Sequence, residues 1–148
     1  MNGTETELAP PRVFRSLAVR RLLSLHGQLW AEHVSTENTS IQFGLLLCLA
    51  RSDSGLSQTE IATQLAVDKA SLTELVSRMA SRGLVSVHRD SQDGRRRVAT
   101  LTDAGHDLLQ EMYGPALEVN RRLFTPLSEA EGDQLMGLLE RVLAEHSD

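Results

Sequence analysis

The stretch LSQTEIATQLAVDKASLTELVSRMASRGLVSVHRDSQDGRRRVATLTDAG, residues 56–105, decides how the rest of the chain is read. It opens with a capping box, S-Q-T-E from Ser57 to Glu60. The Ser57 hydroxyl can accept the N–H of Glu60, and the Glu60 carboxylate can return to the N–H of Ser57. The helix this starts is expected to end at Leu65, because only Ala66 and Val67 separate it from Asp68, a second N-cap residue. The next helix is expected to run to about Ser81 and stop at Gly83. Two short helices joined by three or four residues predict a helix-turn-helix. In the second, Leu72, Leu75, Val76 and Met79 make an inward stripe at helical spacing, while Lys69, Ala70, Ser71, Thr73, Glu74 and Ser77 lie away from it.

After Gly83, LVSVHR and RVATL are short runs with β-branched enrichment, and Asp93-Gly94 lies between them. That dipeptide tolerates the positive φ of a tight turn, so residues 84–101 read as a β-hairpin. The hairpin tip, RDSQDGRRR, carries Arg89, Arg95, Arg96 and Arg97. A helix-turn-helix followed directly by a hairpin predicts a winged helix.

Outward from this block, Thr39 opens a nearly all-apolar helix with the capping box T-S-I-Q. Upstream, Val13, Phe14, Leu17, Leu22, Leu25, Leu29 and Val34 predict a long helix ending near Ser35. Downstream, Thr102 caps a helix with apolar positions Leu108, Leu109, Met112, Ala116, Leu123 and Phe124, expected to kink at Gly114-Pro115. Ser128 opens a last capping box and a helix striped with Leu135, Leu138, Leu139, Val142 and Leu143. The fold expected is mainly α with a small β-hairpin wing, flanked by N- and C-terminal dimerisation helices. Residues 1–11 read as a flexible tail and residues 12–148 as one domain. Its DNA-binding lobe spans 38–101, and its dimerisation helices are 12–36 and 102–148.

Charge sharpens the reading. The chain of 148 residues has a formal net charge of −5, which taken whole argues against a nucleic-acid partner. Residues 69–97, however, hold one Lys and six Arg against three acids, while residues 98–148 hold three Arg against ten. A basic island sets the local field at a surface whatever the total. Small polar residues on a helix suit the major groove, and arginines on a hairpin tip suit the narrow, strongly negative minor groove. The terminal stripes are too extensive for a small lobe to cover. Pairing two chains would bury them and set two reading helices about one turn, ~34 Å, apart on a duplex.

Residues 56–105 resemble the MarR family of transcriptional regulators. The likeness rests on the helix-turn-helix around LAVDKASLTELVSRMASRGLV, the wing RDSQDGRR and the following LTDAG. The resemblance implies a homodimeric winged-helix protein; the lack of a signal-peptide-like run predicts a cytoplasmic one, and the lack of a nucleophile elbow, phosphate loop or HExxH motif predicts no enzymatic activity. The resemblance also implies a palindromic double-stranded DNA operator as partner, repression, and release by a small aromatic or anionic ligand. Position by position it implies that Arg95 enters the minor groove and Asp93 holds it there. Lys69, Ala70, Ser71, Thr73 and Glu74 form the reading face, Arg78 lies near the phosphates, and Arg89, Arg96 and Arg97 complete the basic wing. Three departures stand out. Ser91 replaces a frequent Pro and predicts a looser wing. Gly94 replaces a frequent Arg, which Arg96 and Arg97 can offset. Ala66 takes a turn position often given to Gly, where a positive φ would cost roughly 1 kcal/mol.

An effector cleft is expected between the lobe and the terminal helices, with Arg20, Arg21, His26, Trp30, Phe43, His106, Met112 and Tyr113 as candidates. Ordinary packing is the competing reading for each. No cofactor or metal is expected: His26 and His33 share a helix face but lie about 10.5 Å apart by helical rise. Two alternatives compete with the DNA reading. One is a winged-helix protein–protein interaction module without DNA binding. The other is a redox-sensing regulator using Cys48, the single cysteine, whose apolar setting in GLLLCLA favours a buried structural thiol. The chain has no apolar run long enough for a membrane span.

Overall fold

The computed structural model describes residues 8–146. After a 3-10 turn at Pro11–Val13 come α1 (Arg15–His33), α2 (Ser40–Ala50), α3 (Gln58–Leu65) and α4 (Lys69–Ser81). The hairpin β1 (Val85–Arg89) and β2 (Arg97–Leu101) follows, then α5 (Asp103–Phe124) and α6 (Glu129–Glu145). The protein is a mainly α winged helix-turn-helix. Most of the expected N-terminal tail lies outside the described residues, and its last residue, Pro11, opens the 3-10 turn.

Local chemistry sets the boundaries. Thr39, Ser57 and Ser128 all close reciprocal capping boxes, and Asp68 accepts the N–H of Ser71 at 2.8 Å. Helix α3 ends because Ala66 adopts the left-handed conformation (φ 51°, ψ 44°), alone in this among the described non-glycine residues. This turns the chain sharply enough for Asp68 to start α4 two residues later. Gly83, at φ +72°, ends the turn after α4. Helix α5 remains helical through Pro115.

β1 and β2 pair antiparallel with Val85 opposite Leu101 and Arg89 opposite Arg97. The sequence reading missed a third element of this sheet. Leu56, before α3, exchanges both backbone hydrogen bonds with Ala99, at 3.0 and 2.8 Å. Gly55 makes this approach possible: its φ is +81°, and a Cβ there would lie 2.8 Å from the Ala99 carbonyl.

One core joins Leu45, Leu46 and Leu49 of α2, Ile61 of α3, the α4 stripe, Val85, Ala99 and Leu109 of α5. The expected stripe, Leu72, Leu75, Val76 and Met79, is buried in full. A smaller cluster packs Trp30 of α1 against Met112, Ala116 and Val119 of α5. Helix α6 buries none of its residues, and much of the α1 apolar face is exposed, including Leu23 at 62%. Among the described residues, no helix is long and apolar enough to cross a membrane.

Candidate nucleic-acid interface

Burying the α4 stripe turns Lys69, Ala70, Ser71, Thr73, Glu74 and Arg78 to solvent. These side chains are not equally available. The Ser71 hydroxyl donates to Asp68 Oδ2 at 2.5 Å, and with the Ser71 N–H it holds the Asp68 carboxyl below its usual range. The Thr73 hydroxyl lies 2.9 Å from Gln58 Oε1 and 2.8 Å from the Lys69 carbonyl. Arg78 Nη2 donates to Glu74 Oε1 at 2.6 Å, one turn away. The Lys69 ammonium has no hydrogen bond or ion pair among the described residues.

The wing departs from its expected construction. Asp93-Gly94 does open a tight turn, over Asp93–Arg96, but Gly94 does not have the positive φ that the sequence suggested. The loop around it is longer and closed by further bonds. Asp90 N–H donates to the Arg96 carbonyl at 2.8 Å, and Arg96 N–H to the Asp93 carbonyl at 2.9 Å. Asp90 and Asp93 also accept the N–H groups of Gln92 and Arg95, at 2.9 and 3.1 Å. Two aspartates thus fix the backbone by Asx-type turns. Asp93 orders Arg95 through its backbone N–H and not through its guanidinium.

The wing arginines divide. Arg89 Nη1 donates to the Gly94 carbonyl at 3.2 Å. Arg96 turns inward and pairs with Glu60 of α3 and with Asp90 at 3.6 Å. It therefore does not offset Gly94 as a free charge, as the sequence had suggested. Arg95 and Arg97 have no side-chain hydrogen bond or ion pair among the described residues. The first turn of α3 lies between the two exposed elements, since Gln58 touches Thr73 of α4 while Glu60 touches Arg96 of the wing.

Of the effector candidates, the fold assembles four. His26 and Trp30 have ring centroids 5.9 Å apart, Trp30 and Phe43 5.6 Å, and Met112 packs with Trp30 and Phe43. Trp30 is 7% exposed, so its rings also serve as core. Arg20, Arg21, His106 and Tyr113 are exposed and make no ring contact with this group among the described residues. The sequence reading missed Asn38. Its carbonyl accepts the Trp30 indole N–H at 2.7 Å, and its Oδ1 accepts from Arg82 at the end of α4 at 2.8 Å. A cleft of about 280 Å³ opens beside these groups, lined by Trp30, Ser35, Asn38 and Thr39. Cys48 is half-buried, and burial pushes its thiol pKa up, which disfavours the thiolate a redox sensor needs.

Residues 39–96 match the model of the MarR family. The PcaV transcriptional regulator of Streptomyces coelicolor, solved in complex with its natural ligand, superposes with a TM-score of 0.87. It is 30% identical, over 96% of this chain and 100% of that one. The chain belongs to the MarR family. The transcriptional repressor NicR of Pseudomonas putida is 32% identical over 105 residues, which span 71% of this chain and 66% of that protein. The structure of BpsR from Bordetella bronchiseptica, described with regulation of its DNA binding by 6-hydroxynicotinic acid, has a TM-score of 0.72. It is 26% identical over 86% of this chain and 97% of that one. This MarR-family chain is a transcriptional regulator.

Proposed function

We propose that this MarR-family regulator binds a palindromic operator as a homodimer and represses transcription until a small aromatic or anionic ligand releases it. The observation that carries the proposal is the distribution of uncommitted charge. Within the basic segment 69–97, Lys69 at the start of α4 and Arg95 and Arg97 on the wing are the cations whose side chains have no partner among the described residues. They lie on the two elements, α4 and the wing, that touch the first turn of α3 through Thr73 and Arg96. A duplex offers one phosphate charge per ~1.7 Å of axis, and cations without partners can displace its counterions without first breaking an ion pair. In this reading α4 enters the major groove with Lys69, Ala70 and Ser71 toward the bases, and Arg95 enters the minor groove.

Dimerisation is supported by the unburied stripes of α1 and α6, which a second copy would cover. Ligand release is supported by the His26–Trp30–Phe43 ring group, whose π-faces suit an aromatic molecule. The Trp30–Asn38–Arg82 contacts offer a route from that group to the end of α4. That BpsR is regulated by an aromatic acid favours the same ligand class here.

The test begins with sequencing of genomic DNA retained by the purified protein. Anisotropy titration of a recovered duplex at fixed salt then compares wild type with Arg95→Ala. The expected loss is ~1–3 kcal/mol, that of one good groove contact. Equal affinities would remove Arg95 from the interface, and no retained duplex at low salt would remove the operator.

A further inference from the structure

Arg96 is the wing-tip arginine, among those described, that carboxylates hold from two directions. Its Nη2 donates to Glu60 Oε2 on α3, and its Nη1 lies 3.6 Å from Asp90 Oδ2 at the base of its own loop. Glu60 is itself a fixed anchor. The same Oε2 accepts the Ser57 N–H at 2.7 Å and the Ser57 hydroxyl at 2.9 Å, which pins the carboxylate to the first turn of α3. Two residues earlier, Gln58 accepts from Thr73 of α4. One turn of α3 therefore touches both elements that would meet DNA.

We propose that Arg96 is a positioning residue: it straps the wing to the first turn of α3 and so sets the wing's angle to α4, without itself contacting DNA. The consequence for DNA rests on the operator-binding reading above. A two-stranded ribbon is free to swing about its base, where Leu56–Ala99 pairing and the core hold it. A tether at the far end restrains that swing most effectively. An exposed ion pair is worth little to global stability, but it suffices to bias such a swing about two- to five-fold. The strap also cancels the Glu60 charge, which would otherwise repel phosphates. The guanidinium suits the task because separate nitrogens reach the two carboxylates; an ammonium offers one point charge.

The decisive comparison uses Arg96→Ala, Arg96→Lys, Glu60→Gln and the double variant Arg96→Ala/Glu60→Gln in the full chain. Glutamine at position 60 keeps the α3 capping box while removing the charge. In the free protein, hydrogen exchange is followed at the bonded amides of Asp90 and Arg96. The strap predicts about two- to five-fold faster exchange in each single variant, and no further increase in the double. On a recovered duplex, Arg96→Ala leaves the salt dependence of binding unchanged. The proposal is overturned if Glu60→Gln leaves wing exchange at the wild-type rate. It is also overturned if Arg96→Ala lowers the salt slope by about one while Arg96→Lys binds normally and Glu60→Gln binds more tightly, which would mark a phosphate contact. Wild-type protein that ignores every duplex would refute the operator reading, and the exchange measurement would still decide the strap.

Discussion

Helices α4 and α6 carry stripes of the same kind and differ in what covers them. Leu72, Leu75, Val76 and Met79 of α4 are all buried beneath α2, the hairpin and the start of α5. In α6 no residue is buried, and Leu138 and Val142 are 48% and 60% exposed. Amphipathic periodicity specifies that a helix needs a partner surface but not which molecule supplies it. For α4 the surface comes from its own chain. Among the described residues α6 finds no such burial, and in the homodimer proposed above a second copy supplies it.

The sharpest way to break this comparison is to charge the uncovered stripe. Leu138→Glu combined with Val142→Glu is expected to convert the protein to a monomer in sedimentation velocity. Operator affinity should fall roughly 100-fold or more, since two linked half-sites become one. Helical signal from the α2–α5 core should persist. A doubly charged variant that still sediments as a dimer would place the interface elsewhere.

Next in size is Gly105, buried in the first turn of α5 against Leu84 and Leu101. A Cβ there would lie 2.1 Å from the Leu84 carbonyl oxygen, a backbone atom with little room to yield. Gly105→Ala is expected to cost about 1–3 kcal/mol by overpacking, read as a lower urea midpoint. An unchanged midpoint would mean that α5 shifts freely against the hairpin.

Smaller, and of opposite sign, is Ala66→Gly. The φ of 51° at Ala66 is strained for any residue with a Cβ, and relief should outweigh the added unfolded-state entropy by about 0.5 kcal/mol. Loss of stability instead would show that the alanine methyl packs usefully in the turn.

The smallest effect expected is electrostatic. Hydrogen bonds from Arg121 and then Arg122 pull the exposed Glu118 carboxyl down to about 2. A depressed folded pKa stabilises above the ordinary carboxylate value and is lost as pH falls toward the folded one. Glu118→Gln should therefore flatten the decline of the urea midpoint between about pH 5 and pH 2, less so at high salt. An unaltered profile would mean that the pair does not persist in solution.

The amino-acid sequence by itself determined the elements of the winged helix and their inward faces, because both are local. Capping boxes at Thr39, Ser57 and Ser128, the cap at Asp68 and the spacing of Leu72, Leu75, Val76 and Met79 depend on residues three or four apart. The resemblance to the MarR family also marked Ala66, at a turn position often given to Gly, as a place where a positive φ would strain the chain. Only the tertiary structure decided which charges are committed. Arg95, Arg96 and Arg97 are indistinguishable in a row, yet one meets a carboxylate 36 residues away while its neighbours meet none among the described residues. The Leu56–Ala99 pairing, the non-glycine-like turn at Gly94 and the Trp30–Asn38–Arg82 contacts were hidden for the same reason. Each depends on the distance between chain segments after folding, and no periodicity in the sequence encodes that distance.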